Sequence, residues 1–356
     1  MAIGLDIGSS AVRAVQLEQG RGRRLELGRY REAALPSGAV VDGEVVEPDA
    51  VSGVLRELWR EAKLRPRTVA VGLASQRVTV RQLDLPDLPD DELADAVRLQ
   101  AQDQLPIPID QALLDYVVVD RYDVGEERSN VRVLLVAAEQ EMVERMLLAV
   151  TSAGLRPALV DLDPFALLRS LVPPGGDGNG LPPGGRVELL VDVGAMVTKI
   201  AVHRGGDPLF VRMVRLGGAT ATRELQRVLE LSWDEAERAK LEASAAMAAG
   251  TELDPDDERA SVLRNAVQRV ITEIGHSLDF FRRQHDDLEV QRVLLCGGGS
   301  LAPNLADQLE AVLDVRIEQG NPLQMIGGFE QPPENGLKDK APFLAVPVGL
   351  AMGLLK

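Results

Sequence analysis

An apolar strand that ends in aspartate and is followed, one residue on, by glycine occurs once in each half of this chain. The first is Asp6-Ile7-Gly8-Ser9-Ser10 after Ala2 to Leu5; the second is Asp192-Val193-Gly194-Ala195-Met196 after Val187 to Val191. Each is followed by two further strand-like runs, Val12 to Leu17 and Leu25 to Tyr30 in the first half, Thr198 to His203 and Pro208 to Leu216 in the second. Such a repeat restricts the chain to a duplicated α/β architecture, because the same three-strand meander is built twice. A third glycine turn, Cys296-Gly297-Gly298-Gly299-Ser300, closes the strand Val290 to Cys296. Glycine permits positive φ and close backbone approach, so consecutive N–H groups can converge on phosphate oxygens. An aspartate at a strand end cannot hold a phosphate, but it can hold the waters of a Mg²⁺ that does. One Asp-x-Gly is a common product of any strand-turn-strand sequence, and ordinary hairpin turns are the plain alternative. Two of them in duplicated halves, with a triple glycine between strand and helix, point to a triphosphate clamped between lobes.

The 356 residues suffice for about two folding units, and their cores must be aliphatic, since 45% of residues are apolar but only 3% aromatic. A net charge of −16 repels phosphodiester backbones and argues against nucleic acid as a partner. The single cysteine, Cys296, forbids an intrachain disulfide and a cysteine metal cluster, which fits a reducing compartment. The N-terminus has no basic region followed by an apolar stretch, and the longest apolar run, Phe343 to Leu355, falls short of the about 20 residues of a membrane span. It reads as a buried helix in a soluble protein.

Apolar spacing predicts a helix from Pro48 to Ala62 and a β-β-α-β-β-α block from Thr68 to Thr151, taken as an inserted subdomain. Its strands are Val69 to Leu73, Val78 to Leu83, Leu113 to Tyr122 and Val131 to Ala138; its helices are Asp90 to Gln104 and Gln140 to Ala153. Arg156 to Val160 and Pro164 to Leu171 make a strand and helix before an exposed Pro/Gly-rich loop, Pro173 to Gly185. Helices are expected at Gly217 to Glu230 and Ser232 to Ala243, then a polar link, Thr251 to Asp257. A long helix follows, with Leu263, Val267, Val270, Ile271, Ile274, Leu278 and Phe281 as a core-facing stripe. Helices Ala302 to Leu313 and Pro347 to Leu354 end the chain, and His203, His276 and His285 share no metal-ligand spacing.

The order of hairpin, connecting helix, hairpin, glycine turn and closing helix resembles the superfamily of actin, heat-shock chaperone ATPases and sugar kinases. Ile3 to Val15, Gly38 to Val45, Asp103-Gln104-Leu105-Pro106-Ile107-Pro108-Ile109-Asp110, Leu113 to Tyr116, Val133 to Ala138 and Ser277 to Phe281 resemble the PilM family of actin-like type IV pilus assembly proteins, nearly end to end. The resemblance implies an α/β, actin-like duplicated ATPase-domain fold of two ribonuclease-H-like lobes with an inserted FtsA-type subdomain. The expected division is 1–67, 152–186 and 345–356 in the first lobe; 68–151 in the insert; 187–216 and 272–344 in the second lobe; and 217–271 in a small helical subdomain beside the nucleotide.

It further implies ATP and Mg as cofactors. Asp6, Gly8, Ser9 and Ser10 match the first phosphate loop, with Arg13 where the family usually has a lysine. Asp192, Gly194, Ala195 and Thr198 match the second, with Met196 in place of a customary Ser or Thr. Gly297, Gly298, Gly299 and Ser300 match the adenosine loop, and Asp6 and Asp192 are the expected Mg carboxylates, acting through water. Glu237 and Lys240 resemble the pair that brackets ribose and adenine; an ordinary i, i+3 ion pair on a helix face is the alternative. Asp163, before Pro164, resembles the residue that orients water for hydrolysis, although it suits the first turn of a helix better. ATP binding with slow or absent turnover is the expectation.

In that family the partner is the short cytoplasmic N-terminal tail of a PilN-type inner-membrane protein, held beside the insert. Here that points to Arg81, Leu83, Leu85, Leu105, Ile107 and Ile109, positions that serve equally well as internal packing. Other pilus-platform proteins, the assembly ATPase and further copies of the chain are further expected partners. The protein is then cytoplasmic and peripheral at the inner face of the membrane through those partners. An FtsA-like division filament is the alternative, disfavoured because an amphipathic anchor after the closing helix is expected of it and the sequence stops at Lys356. A small-molecule kinase would want a better base than Asp163, and a redox-activating ATPase would want more than one cysteine.

Overall fold

The computed structural model describes residues 1–20, 24–125, 128–173, 185–251, 254, 257–326 and 337–355, without the side chains of Arg128 and Lys338. The loop read at 173–185 and the link at 251–257 lie for the most part outside these residues.

The first lobe opens with β1 (Ala2–Ile7), β2 (Ala11–Gln19) and β3 (Leu25–Ala34), an antiparallel meander, then a short ribbon of β4 (Val40–Val41) and β5 (Glu44–Val45). Helix α1 (Pro48–Ala62) starts at Pro48, whose fixed φ suits a first helical turn, and buries Val51, Leu55, Leu58 and Trp59. β6 (Thr68–Leu73) follows, then β7 (Val78–Pro86), α2 (Asp90–Gln104), β8 (Ala112–Gly125), β9 (Arg128–Glu139) and α3 (Gln140–Ser152). β10 (Arg156–Leu162) and α4 (Asp163–Leu171) complete this half.

The second lobe repeats the plan with β11 (Val187–Val193), β12 (Thr198–Arg204) and β13 (Asp207–Val214), then α5 (Ala219–Leu229), α6 (Trp233–Ala248) and α7 (Glu258–Gln284). β14 (Arg292–Cys296), α8 (Leu305–Leu313), β15 (Arg316–Gln319) and α9 (Ala341–Gly353) end it. The two five-stranded sheets run β10-β6-β1-β2-β3 and β15-β14-β11-β12-β13, the same order with the same parallel and antiparallel pairs. The duplication legible in the hairpins thus extends to whole sheets. All seven stripe residues of α7 are buried, most of them against β11, β12 and β14.

The expected insert is smaller than 68–151. β6 lies between β10 and β1 in the first sheet, and α3 packs on α1, so the separate three-stranded sheet, β7-β9-β8, occupies 78–139 with α2 on one face. The third glycine turn also differs from the other two: β14 is a parallel strand, and Gly297 leads into a 3₁₀ turn at Gly298–Leu301 rather than a hairpin. The closing helix begins at Ala341, with Pro342 in its first turn, and continues through Pro347. It is apolar all round, and α4 and α9 pack against each other beside both sheets. Among the described residues no helix is long and apolar enough to cross a membrane.

Candidate functional site

The two hairpins close in the same way. Gly8 N–H donates to the Ala11 carbonyl at 3.0 Å and Gly194 N–H to the Val197 carbonyl at 3.1 Å, so each loop turns within three residues of its glycine. The registers match as well: Asp6 lies opposite Arg13, and Asp192 opposite Lys199. Both loops, the Gly297 turn and the N-terminus of α5 line one cavity of about 360 Å³ between the lobes. Its size and glycine-lined walls suit a compact polyanion with an apolar appendage.

Glycine is required where the walls meet. A Cβ on Gly297, which has φ +83°, would lie 2.1 Å from Asp192 Oδ1 and 2.4 Å from the Val193 carbonyl. One on Gly217 would lie 2.4 Å from the Gly194 carbonyl; that carbonyl instead accepts from Gly218 N–H at 3.0 Å, and the Ala195 carbonyl accepts from Ala219 N–H at 2.8 Å. The start of α5 is therefore stitched to the second loop, and a helix N-terminus faces the cleft.

The charged groups form two clusters. In one, Asp6 Oδ2 lies 3.5 Å from Arg13 Nη1, and Arg13 stacks over the Phe343 ring with its guanidinium carbon 5.0 Å from the centroid. In the other, Lys199 Nζ lies 2.9 Å from Asp192 Oδ2 and 3.4 Å from Asp163 Oδ2. Asp192 belongs to the second lobe and Asp163, the first residue of α4, to the first, so the ammonium ties one to the other. Asp163 is 4% exposed and its Oδ1 has no hydrogen-bond partner among the described residues; a Cβ on Gly72 would lie 1.9 Å from that oxygen. Burial pushes the Asp163 carboxyl up to about 7, against the pull of Lys199 and with Asp6 and Asp192 adding to the rise. Burial alone would lower the Lys199 ammonium; Asp192, Asp163 and Asp6 overcome that and hold it above the ordinary lysine value.

A pH dependence follows. Between 3.8 and about 7 the folded chain holds a proton on Asp163 that the unfolded chain has released, so this group's stabilising contribution is full at the acidic end and is lost as pH rises through about 7. The stability of the native protein relative to Asp163→Asn, followed by urea denaturation, is expected to fall across that window and level off above it. A difference that rises with pH over the same range would refute the assignment.

Most residues singled out from the sequence line this cavity: Asp6, Gly8, Ser9, Ser10, Arg13, Asp163, Asp192, Gly194, Ala195, Glu237, Lys240, Gly297, Gly298 and Gly299. Met196 lines it too. Glu237 and Lys240 pair at 2.7 Å, and Thr222 bonds to both. Two expected ligands turn away. The Thr198 hydroxyl donates to the Leu216 carbonyl at 2.7 Å and the Ser300 hydroxyl to the Gly297 carbonyl at 2.7 Å, so both serve the backbone rather than the cavity. Cys296 is a fully buried small residue whose thiol burial pushes up. Of the six positions expected at the partner surface, Leu83 and Leu85 are in the core beneath α2 at 6% and 7% exposure, because their alternation on β7 points them into it. Leu105, Ile107 and Ile109 are half-buried and Arg81 is exposed. Sequence reasoning missed Lys199, Gly217, Gly218 and Phe343. The signal for Lys199 was present, since it follows Asp192 by the same spacing at which Arg13 follows Asp6.

Both expected metal carboxylates thus already face a side-chain cation across the hairpin. Among the described residues no group of three or more His, Cys, Asp or Glu is arranged to hold a metal ion. The cavity fits a nucleotide; Asp6 and Asp192 do not fit the Mg²⁺ role expected of them.

A family model for type IV pilus assembly protein PilM matches residues 4–354. Among solved structures, the PilM-PilN type IV pilus biogenesis complex matches with a TM-score of 0.85 and 31% identity, over 100% of this chain and 98% of that one. MreB 5 of Spiroplasma citri bound to AMPPNP shares the fold, with a TM-score of 0.51 and 13% identity over 99% of this chain and 95% of that one. Cell division protein FtsA of Streptococcus pneumoniae is 23% identical over 357 residues, 90% of this chain and 76% of FtsA.

Proposed function

The chain belongs to the PilM family of type IV pilus assembly proteins and has their actin-like fold, and from that premise we propose that it is a nucleotide-gated adaptor of the pilus assembly platform. The observation that carries this reading is a shared cavity into which the two lobes each send an Asp-x-Gly loop. In the proposal ATP occupies it. Loops 8–10 and 194–196 face the phosphates, Arg13 and Lys199 supply positive charge, and Glu237 and Lys240 flank the ribose. Asp163, half-protonated near neutral pH and paired with Lys199, orients water poorly, so turnover is slow or absent.

The partner is the cytoplasmic N-terminal tail of a PilN-type membrane protein, by analogy with the PilM-PilN complex, and it holds the chain at the inner face of the membrane. The insert supplies the surface, with Arg81, Leu105, Ile107 and Ile109 as contact residues. ATP between lobes sets their closure, and closure shapes the surface at the base of the insert.

Titration with ATP and, separately, with a partner-tail peptide tests the reading. ATP is expected to bind, to tighten the peptide, and to do so about tenfold less effectively in Arg13→Ala, a loss equal to one charged contact. Peptide affinity that is the same with and without ATP would reduce the fold to a scaffold.

A further inference from the structure

We propose that the Lys199 ammonium is the resident cation of the cleft, so that the nucleotide triphosphate binds here without a divalent metal ion. The inference rests on the nucleotide reading above and concerns what neutralises the phosphates. Lys199 is built into the site: it is 8% exposed, it lines the cavity, and its nitrogen touches carboxylates from both lobes, 2.9 Å from Asp192 and 3.4 Å from Asp163.

Magnesium holds six oxygens in a near-octahedral shell and dehydrates reluctantly, so an ion reached by Asp192 through water needs a full layer of water beside the carboxylate. Here Nζ is in direct hydrogen-bond contact with Asp192 Oδ2, where one of those waters would stand. An ion placed close by would also meet a fixed positive charge. The carboxylate that could take its place, Asp6, faces Arg13.

The ammonium can do the metal's electrostatic work. Lysine carries three N–H donors and no acceptor, and two carboxylates leave one donor for a phosphate oxygen. Three carboxylates, Asp6, Asp163 and Asp192, stand against two cations, Arg13 and Lys199, and without the lysine the count is three against one. Without the lysine, the same carboxylates would repel a triphosphate unless a divalent ion stood between them.

Calorimetric titration of the full chain with ATP, in Mg²⁺ and in excess EDTA, decides the matter. For the native protein the two dissociation constants are expected to agree within about threefold, whereas Lys199→Ser is expected to lose at least about tenfold in EDTA and to recover in Mg²⁺. Lys199→Arg keeps the charge and should remain insensitive to EDTA. Native protein that binds ATP in Mg²⁺ but loses at least about tenfold in EDTA overturns the inference and leaves the nucleotide reading standing. Absence of binding in both conditions overturns the two together. If Lys199→Ser does not fold, the native comparison decides alone.

Discussion

Gly4→Ala and Gly349→Ala, each a single added methyl, are expected to destabilise the chain by about 3 kcal/mol or more, the upper range for overpacking a core. Gly4 sits in the middle of β1, where the α9 backbone crosses it. A Cβ there would lie 1.9 Å from the Pro347 carbonyl oxygen and 2.6 Å from the Ala351 nitrogen. Gly349 is the reciprocal contact of α9 on α4, with a Cβ position 1.8 Å from the Ala166 carbonyl oxygen. The obstacles in both cases are backbone atoms, which cannot rotate away, so helix and strand must separate. β1 carries Asp6 two residues beyond Gly4, and ATP affinity should fall along with stability in Gly4→Ala. Gly53→Ala is the control: it lies in α1 with nothing within 4 Å of its Cβ position, and should stabilise by about 1 kcal/mol through helix propensity. Urea denaturation of the three variants provides the comparison. A cost below about 1 kcal/mol for both of the first two would mean that α9 does not rest on β1 as closely as its backbone distances require.

Lys199→Met should cost about 3–5 kcal/mol, the range for removing one partner of a buried ion pair and stranding the other. The methionine fills the volume of the stem, so the loss reads the charge and not a cavity. Asp192 and Asp163 are then left as buried carboxylates facing each other and Asp6 across the lobe boundary. Two consequences separate this from general damage. The cost should shrink as pH falls toward about 7, because Asp163, raised by burial and freed from the pull of Lys199, takes up a proton more readily in the variant than in the native protein. It should also shrink in the double variant Lys199→Met/Asp192→Asn, giving a coupling of about 1 kcal/mol or more in a double-mutant cycle. Additive single costs would show that the lysine and the aspartate stabilise the chain independently.

Much of this architecture was legible in the sequence for local reasons. Asp6-Ile7-Gly8 and Asp192-Val193-Gly194 announce hairpins because an apolar run, a small turn and a second apolar run admit few other arrangements. The α7 stripe was legible because a spacing of three and four residues has one helical meaning. The same logic failed where the meaning of a run depends on its neighbour. Val69 to Leu73 reads as a strand in any sheet, and only its pairing with Ile3 to Leu5 assigns β6 to the first lobe. Arg316 to Gln319 is too short to announce itself, and β15 exists because β14 offers it an edge. Pro347 read as the start of a helix, yet the helix runs through it from Ala341, held by the packing of α9 on Gly4.

At the site the division is equally physical. Alternation and glycine placement, both properties of adjacent residues, were enough to identify the loops, the two aspartates and the glycine turn. Hydroxyl directions were not, since Thr198 and Ser300 turn to carbonyls that the tertiary fold brings beside them. Nor was the fate of Leu83 and Leu85, which depends on which face of β7 α2 covers. The bridge of Lys199 from Asp192 to Asp163 joins strand β12 to the first turn of α4 across the lobe boundary, a contact that forms only when the lobes are docked. What the chain determines alone is therefore the repeated local geometry that can cradle a phosphate. Which carboxylate of the other lobe the hairpin lysine reaches is decided by the docking of one lobe on the other, because a charge's partner is set by distance in space and not by position along the chain.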